Sequence, residues 1–265
     1  MRQRAAFMII VLLLTLLQAL PVRAGIVQAT DYSSFWIWGG VKPQPVLSQA
    51  KSLYILQGEV IAKKQQDISR VMVVDQGMPV ARLSKGKVWL VYRADTLHWT
   101  PDVVQALISR LERWKISGNP VIGLQIDFDV RTRHLEEYVF FLQQLRTQLP
   151  VQYQLSITGL LDWSSNGDIE AINRLKNVVD EVIVQTYQGR KTITDYAAYL
   201  PKLRRLTLPF KIGLIQNGEW QAPEDFESNH WFQGYVIFLQ NQVAQKDSLT
   251  IDKETDLTGN HREFL

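Results

Sequence analysis

The segment Gly123-Leu124-Gln125-Ile126-Asp127-Phe128-Asp129 puts chemistry where a strand usually puts packing. Strand side chains alternate between faces. Leu124, Ile126 and Phe128 therefore point one way, and Gln125, Asp127 and Asp129 the other. Same-face neighbours lie about 6.5–7 Å apart along a strand. Burying two carboxylates at that spacing is costly, and desolvation and mutual repulsion raise the pKa of one of them. A carboxyl that titrates near neutral pH is what a general acid requires. The flanking apolar runs and the long helical pattern that follows argue for a buried strand. The alternatives are a solvated edge strand, loop caps, or oxygen ligands for a hard cation.

Other residues with chemical potential fall near the ends of predicted strands. Asp162-Trp163 follows the strand Gln154–Leu161; the acid can hold a hydroxyl and the indole can stack on a sugar ring, or the pair can simply lead into a helix. Trp36 and Trp38 share one face of the strand Ser34–Val41 and serve either as core or as sugar platforms, with core packing expected for at least one. Arg93 and Asp95 follow the strand Lys87–Tyr92 and either bind an anionic substituent or pair with each other. The four histidines, His98, His134, His230 and His261, make no close pair of the zinc-protease kind, so no metal is expected. No Gly-x-Ser-x-Gly elbow and no Gly-rich phosphate loop occurs, which argues against a serine hydrolase and a nucleotide cofactor. The chain has no cysteine, which excludes disulfides, thiolate metal sites and a cysteine nucleophile.

The elements that must hold these residues alternate between strand and helix. Strands are predicted at Ser34–Val41, Ser52–Gly58, Lys87–Tyr92, Val121–Val130, Gln154–Leu161, Glu181–Tyr187, Phe210–Ile215 and Gly234–Leu239. Arg70–Val74 and Val80–Leu83 flank Gly77 and Pro79 and read as a hairpin. Thr100-Pro101 opens a helix to about Lys115, with Thr100 as N-cap. Further helices are predicted at Arg133–Leu149, Asp168–Asn177 and Asp195–Leu206. About eight strands alternating with helices favour a compact α/β fold of the (β/α)8 TIM-barrel type over a doubly wound open sheet. Little helix signal occurs in 52–95, so the first units are read as degraded. In such a barrel Asp127 and Asp129 climb toward the C-terminal mouth.

The 265 residues are 46% hydrophobic and 21% charged, which excludes a disordered or collagen-like chain. Residues 1–24 read as a signal peptide: Arg2 and Arg4, the apolar stretch Ala5–Leu20, then Pro21 and Val22-Arg23-Ala24. The alternative is an uncleaved anchor, which would be the only membrane contact expected. The expected location is the periplasm or the exterior. The leader holds three of the 29 basic residues and none of the 26 acidic ones, so the remainder is formally neutral and nucleic acid is not an expected partner. One barrel domain is predicted over 25–241, followed by a polar tail over 242–265.

The segment Gly123–Asp129 resembles the fourth strand of the chitinase-type barrels of glycoside hydrolase family 18, with its Asp-x-x-Asp-x-Asp-x-Glu motif. The resemblance puts the catalytic acid at Asp129 and the substrate-orienting acid at Asp127. Gln125 stands at the inner Asp position and Ile122 at the outermost. Val179–Gln188 is similar to the family's sixth strand, which ends in Met-x-Tyr-Asp. Tyr187 then takes the place of the tyrosine that supports the reaction intermediate, and Gln188 replaces the Asp. Phe238 stands where the family usually has Trp. The resemblance implies substrate-assisted hydrolysis of a glycan with one acid, altered by the shorter Asp129 and the two glutamines, or an inactive sugar-binding relative. The stretch Gln125–Trp163 also resembles an uncharacterised bacterial family, the domain-of-unknown-function family 3142, through Ile126–Asp129, Leu135–Tyr138 and Leu155–Leu160. That second resemblance implies a barrel and no established reaction.

Overall fold

The computed structural model describes residues 24–65, 68–83, 86–128, 134–164, 169–223 and 225–241. Asp129, nearly all of the leader and the whole polar tail lie outside the described residues. The strands are β1 (Gly25–Ile26), β2 (Ser34–Ile37), β3 (Ser52–Gln65), β4 (Ile68–Asp75), β5 (Lys87–Ala94), β6 (Val121–Asp127) and β7 (Gln154–Leu160). They continue with β8 (Glu181–Gln185), β9 (Tyr187–Gln188), β10 (Lys191–Thr192), β11 (Phe210–Ile215), β12 (Glu219–Trp220) and β13 (Phe232–Phe238). The helices are α1 (Pro101–Ile116), α2 (Leu135–Gln148), α3 (Ile169–Asn173) and α4 (Tyr196–Leu203).

Eight parallel strands close a ring in the order β2, β13, β11, β8, β7, β6, β5, β3 and back to β2. The expected (β/α)8 barrel is therefore the observed fold. The seam is short: β13 meets β2 through Ile237 opposite Phe35 and Phe238 opposite Trp36. On its other side β2 runs beside β3 from Ser34 opposite Ser52 to Ile37 opposite Ile55.

The alternation of the strands sorts their side chains into two clusters. Phe35, Leu53, Ile55, Leu90, Leu124, Ile126, Leu155, Ile157, Val182 and Ile212 join the helices in the outer core. Trp36, Tyr54, Leu56, Trp89, Val91, Ile183 and Val236 meet inside the ring. The two faces expected for Gly123–Asp127 are thus those observed, with Leu124 and Ile126 outward and Gln125 and Asp127 inward. Small residues make room for the large inner rings. A Cβ on Gly213 would stand 2.8 Å from Cζ3 of Trp36. Gly213→Ala should therefore lower stability by about 1–3 kcal/mol through overpacking, measured as a drop in the denaturation midpoint with an unchanged denaturant slope.

Helices occur where the sequence pattern is strong, between β5 and α4. Before β5 the connections are abbreviated: a 3-10 turn, Pro45–Gln49, joins β2 to β3, and the strand β4 stands between β3 and β5. Three expectations need correction here. Gly58 does not end its strand; β3 runs on to Gln65 and pairs antiparallel with β4, from Gly58 opposite Asp75 to Gln65 opposite Ile68. Val80–Leu83 is not a strand, because the Asn119 side chain takes its backbone groups: Nδ2 donates to the Ala81 carbonyl and Oδ1 accepts from the Leu83 N–H, both at 2.9 Å. Thr100 precedes α1 as expected, but its side chain makes no capping bond.

The floor of the ring is polar and fully paired. Lys211 Nζ donates to Glu181 Oε2 at 2.7 Å and to the Tyr54 hydroxyl at 2.9 Å. Tyr54 in turn donates to Glu181 Oε1 at 2.7 Å, and Ser156 Oγ to the same oxygen at 3.0 Å. The carboxylate has left water and is compensated on both oxygens, as a buried charge must be.

Candidate functional site

Above that floor, Gln125 is fully buried at mid-height. Its Oε1 accepts from Trp36 Nε1 at 2.6 Å and its Nε2 donates to Ser156 Oγ at 2.8 Å. The amide is thereby fixed on both sides, which assigns its orientation, and it brings no charge to the site. Asp127, the next inward residue, ends β6 and is 5% exposed. Thr158 Oγ1 on the adjacent strand β7 donates to Asp127 Oδ1 at 2.8 Å. Behind Asp127, from the outer core, stands Tyr138 of α2. Burial, and then the charge on Asp127, push the Tyr138 hydroxyl well above its ordinary pKa. The sequence places Tyr138 on the apolar stripe of its helix, and nothing local there announces an acid on the other side of the strand.

At the C-terminal ends of the strands opens a pocket of about 650 Å³, within the range of small-molecule sites. It receives Asp127, Arg93, Trp38, Tyr187, Gln188 and Asp162 together. Arg93 and Asp127 are register partners on β5 and β6, so they stand side by side at the mouth. Trp38, Phe238 and Tyr187 form one wall, with ring centroids 5.5 Å apart for Trp38–Phe238 and 5.3 Å for Phe238–Tyr187. Tyr187 also meets Trp36 edge-on at 6.4 Å, so the aromatic wall continues into the barrel interior.

Tyr187 owes its place to a break in β8. The Thr186 N–H and hydroxyl both donate to the Gly213 carbonyl, at 3.0 and 2.9 Å. The strand expected to run to Tyr187 therefore stops at Gln185, and Tyr187-Gln188 turn back in a small hairpin with Lys191-Thr192. Gly189, at φ 59°, makes that turn possible. Arg190 holds the hairpin tip across the mouth by donating to Gln240 Oε1 at 3.1 Å.

Two proposed ligand residues lie elsewhere. Gln125 is sealed beneath the pocket. Trp163 is 1% exposed and packs edge-on against Tyr138 at 6.3 Å, so its indole belongs to the core and not to the pocket wall. The reason is Gly159: a Cβ there would stand 3.0 Å from Cζ3 of Trp163, so the missing side chain leaves the space the ring fills. Its neighbour Asp162 is exposed and reaches the pocket. Sequence reasoning missed Gln185, Ile193 and Tyr199, which also line it. Gln185 was legible as the residue between Ile183 and Tyr187 on one strand face; Tyr199 arrives on α4 and had no local signal. Among the described residues no three acidic or histidine side chains gather as a metal site, and no helix is long and apolar enough to cross a membrane.

Fold and site together define a TIM-type barrel with an open pocket at the C-terminal ends of its strands. Residues 94–205, which carry Asp127, Asp162 and Tyr187, match the family described as Domain of unknown function (DUF3142). Over 95 residues the chain is 32% identical to F-box only protein 47 of Homo sapiens, a stretch that is 33% of this chain and 20% of that protein. Among solved structures it aligns with the Bacillus cereus spore cortex-lytic enzyme SleL at 15% identity and a TM-score of 0.42, covering 69% of this chain and 50% of that one. It aligns with the chitinase domain of the spore coat protein CotE from Clostridium difficile at 13% identity and a TM-score of 0.44, covering 73% and 66%. The chain thus spans a fifth of the curated relative and half of the SleL chain.

Proposed function

We propose that this chain is an exported glycoside-hydrolase-like protein that acts on a cell-envelope or environmental glycan. One observation carries the reading: a buried carboxylate, Asp127, and an aromatic wall of Trp38, Phe238 and Tyr187 face the same open pocket at the mouth of the barrel. Aromatic faces cover the apolar faces of sugar rings, and the acids and amides around them, Asp162, Gln185 and Gln188, accept and donate hydroxyl bonds. In this reading Asp129, two residues beyond Asp127, is the general acid, by its resemblance to the family 18 motif. Asp127 orients the reacting substituent, Tyr187 supports the developing charge, and Arg93 offers a cationic contact. The leader pattern over 1–24 supports export.

A second reading has its own observation. The position of the inner motif acid is held by Gln125, whose amide is locked between Trp36 and Ser156 and contributes no charge. A protein that binds glycan without turning it over fits that substitution equally well.

The test is product release from a panel of peptidoglycan fragments, chitin and other β-linked glycans. Asp129→Asn should lower turnover about 10²–10⁴-fold, the usual contribution of a general acid, while the thermal midpoint stays within a few degrees. Asp127→Asn should also lower turnover. Product release unchanged in both variants overturns the assignment of the acids. Binding with no product from the wild type selects the second reading.

A further inference from the structure

We infer that the mouth of this barrel is a groove of two adjoining subsites, the second formed by Glu59, Ile61, Asp95 and Phe128, and that its ligand is an oligosaccharide. The inference rests on the carbohydrate reading above and extends it. Beside the main pocket lies a cavity of about 400 Å³, and Arg93 lines both, so the two are neighbours across that residue.

The second space exists because β3 overruns the ring. Its partner β2 leaves it at Ile55, yet β3 continues for ten residues to Gln65, backed by β4. Barrel strands run toward the mouth, so this hairpin stands above it as a wall. On that wall Glu59 lies opposite Arg93 of β5, and Val60 opposite Ala94. Val60 is buried in the outer core, so its neighbours Glu59 and Ile61 take the other strand face; both line the cavity, together with Ala94. Phe128, half-buried against Tyr138 at 5.2 Å, closes the other side. Asp95 is exposed at the rim, its N–H tied to the Val60 carbonyl at 2.9 Å.

The lining fixes the kind of unit that fits. One ring and one aliphatic side chain offer apolar contact, and two carboxylates accept hydroxyl or ammonium donors. Two carboxylates against a single guanidinium disfavour an anionic unit. The second subsite thus suits a neutral or amino-bearing sugar next to the one held by Trp38 and Tyr187.

Calorimetric titration with β-1,4-linked N-acetylglucosamine and glucose ladders, from monosaccharide to hexasaccharide, tests this. The wild type should bind about tenfold more tightly once the oligomer is long enough to reach Glu59, equivalent to ~1.4 kcal/mol. Ile61→Trp, which fills the cavity, and the double variant Glu59→Ala/Asp95→Ala should each lose that gain. The inference is overturned if the wild type shows no gain with length, if both variants keep it, or if both lose affinity equally at every length. If the wild type binds no member of either ladder yet releases product from another glycan of the panel, this inference fails and the carbohydrate reading stands; if it neither binds nor cleaves any of them, both fail.

Discussion

Lys211→Met should lower the unfolding free energy by about 3–5 kcal/mol, the expected cost of stranding a buried charge. The Lys211 and Glu181 side chains are 15% and 5% exposed, so water cannot replace the lost ammonium. Glu181 would keep the Tyr54 and Ser156 donors and lose its only cationic partner among the described residues. The double variant Lys211→Met/Glu181→Gln should recover much of the loss, because the amide oxygen still accepts from Tyr54 and Ser156 and no charge is left buried. Chemical denaturation of the two variants and the wild type measures both effects. A double variant as unstable as Lys211→Met would show that shape, and not charge, holds the floor together.

The fold should also fail steeply in alkali. Burial pushes the hydroxyl pKa of Tyr138 well above its ordinary value, helped by Asp127, and that of Tyr54 likewise, helped by Glu181. Burial raises that of Tyr92 too. In the unfolded chain these phenols ionise near pH 10. Below that pH both states keep the protons and stability does not depend on them. Above it the unfolded state loses protons that the native state retains, so stability falls as pH rises. Three such groups together amount to about 4 kcal/mol per pH unit, at ~1.4 kcal/mol each. The 295 nm absorbance should therefore rise in two stages, the half-buried tyrosines first and Tyr54, Tyr92 and Tyr138 only as the fold is lost. One smooth titration of all the tyrosines while native circular dichroism persists would contradict this.

Much of the site was legible because period-2 alternation is a strong signal. It put Gln125 and Asp127 on the inner face and Leu124 and Ile126 on the outer one, and the structure has them so. Alternation also put Trp36 and Trp38 on one face; the structure buries the first in the ring and sets the second in the pocket. The failures share a physical cause. Gly58 reads as a strand end only if its neighbours are ignored; in the fold its absent side chain lets β4 approach, since a Cβ there would lie 2.4 Å from the Val74 carbonyl. Trp163 reads as a surface ring until Gly159, one strand end earlier, is seen to vacate its seat. Tyr199 reaches the pocket from α4, a placement set by tertiary packing. Each miss involves a cavity or a partner distant in sequence, which periodicity does not encode.

The two-residue contact between β13 and β2 has a consequence for biogenesis. The first ring strand waits for a neighbour some two hundred positions downstream. A nascent chain emerging in order can zip its successive neighbours from β3 to β11, yet it stays an open crescent until Phe238 has been delivered. Premature release, or truncation before that point, leaves two raw margins of hydrogen-bonding backbone, and these are the sites at which half-made copies would cling to one another.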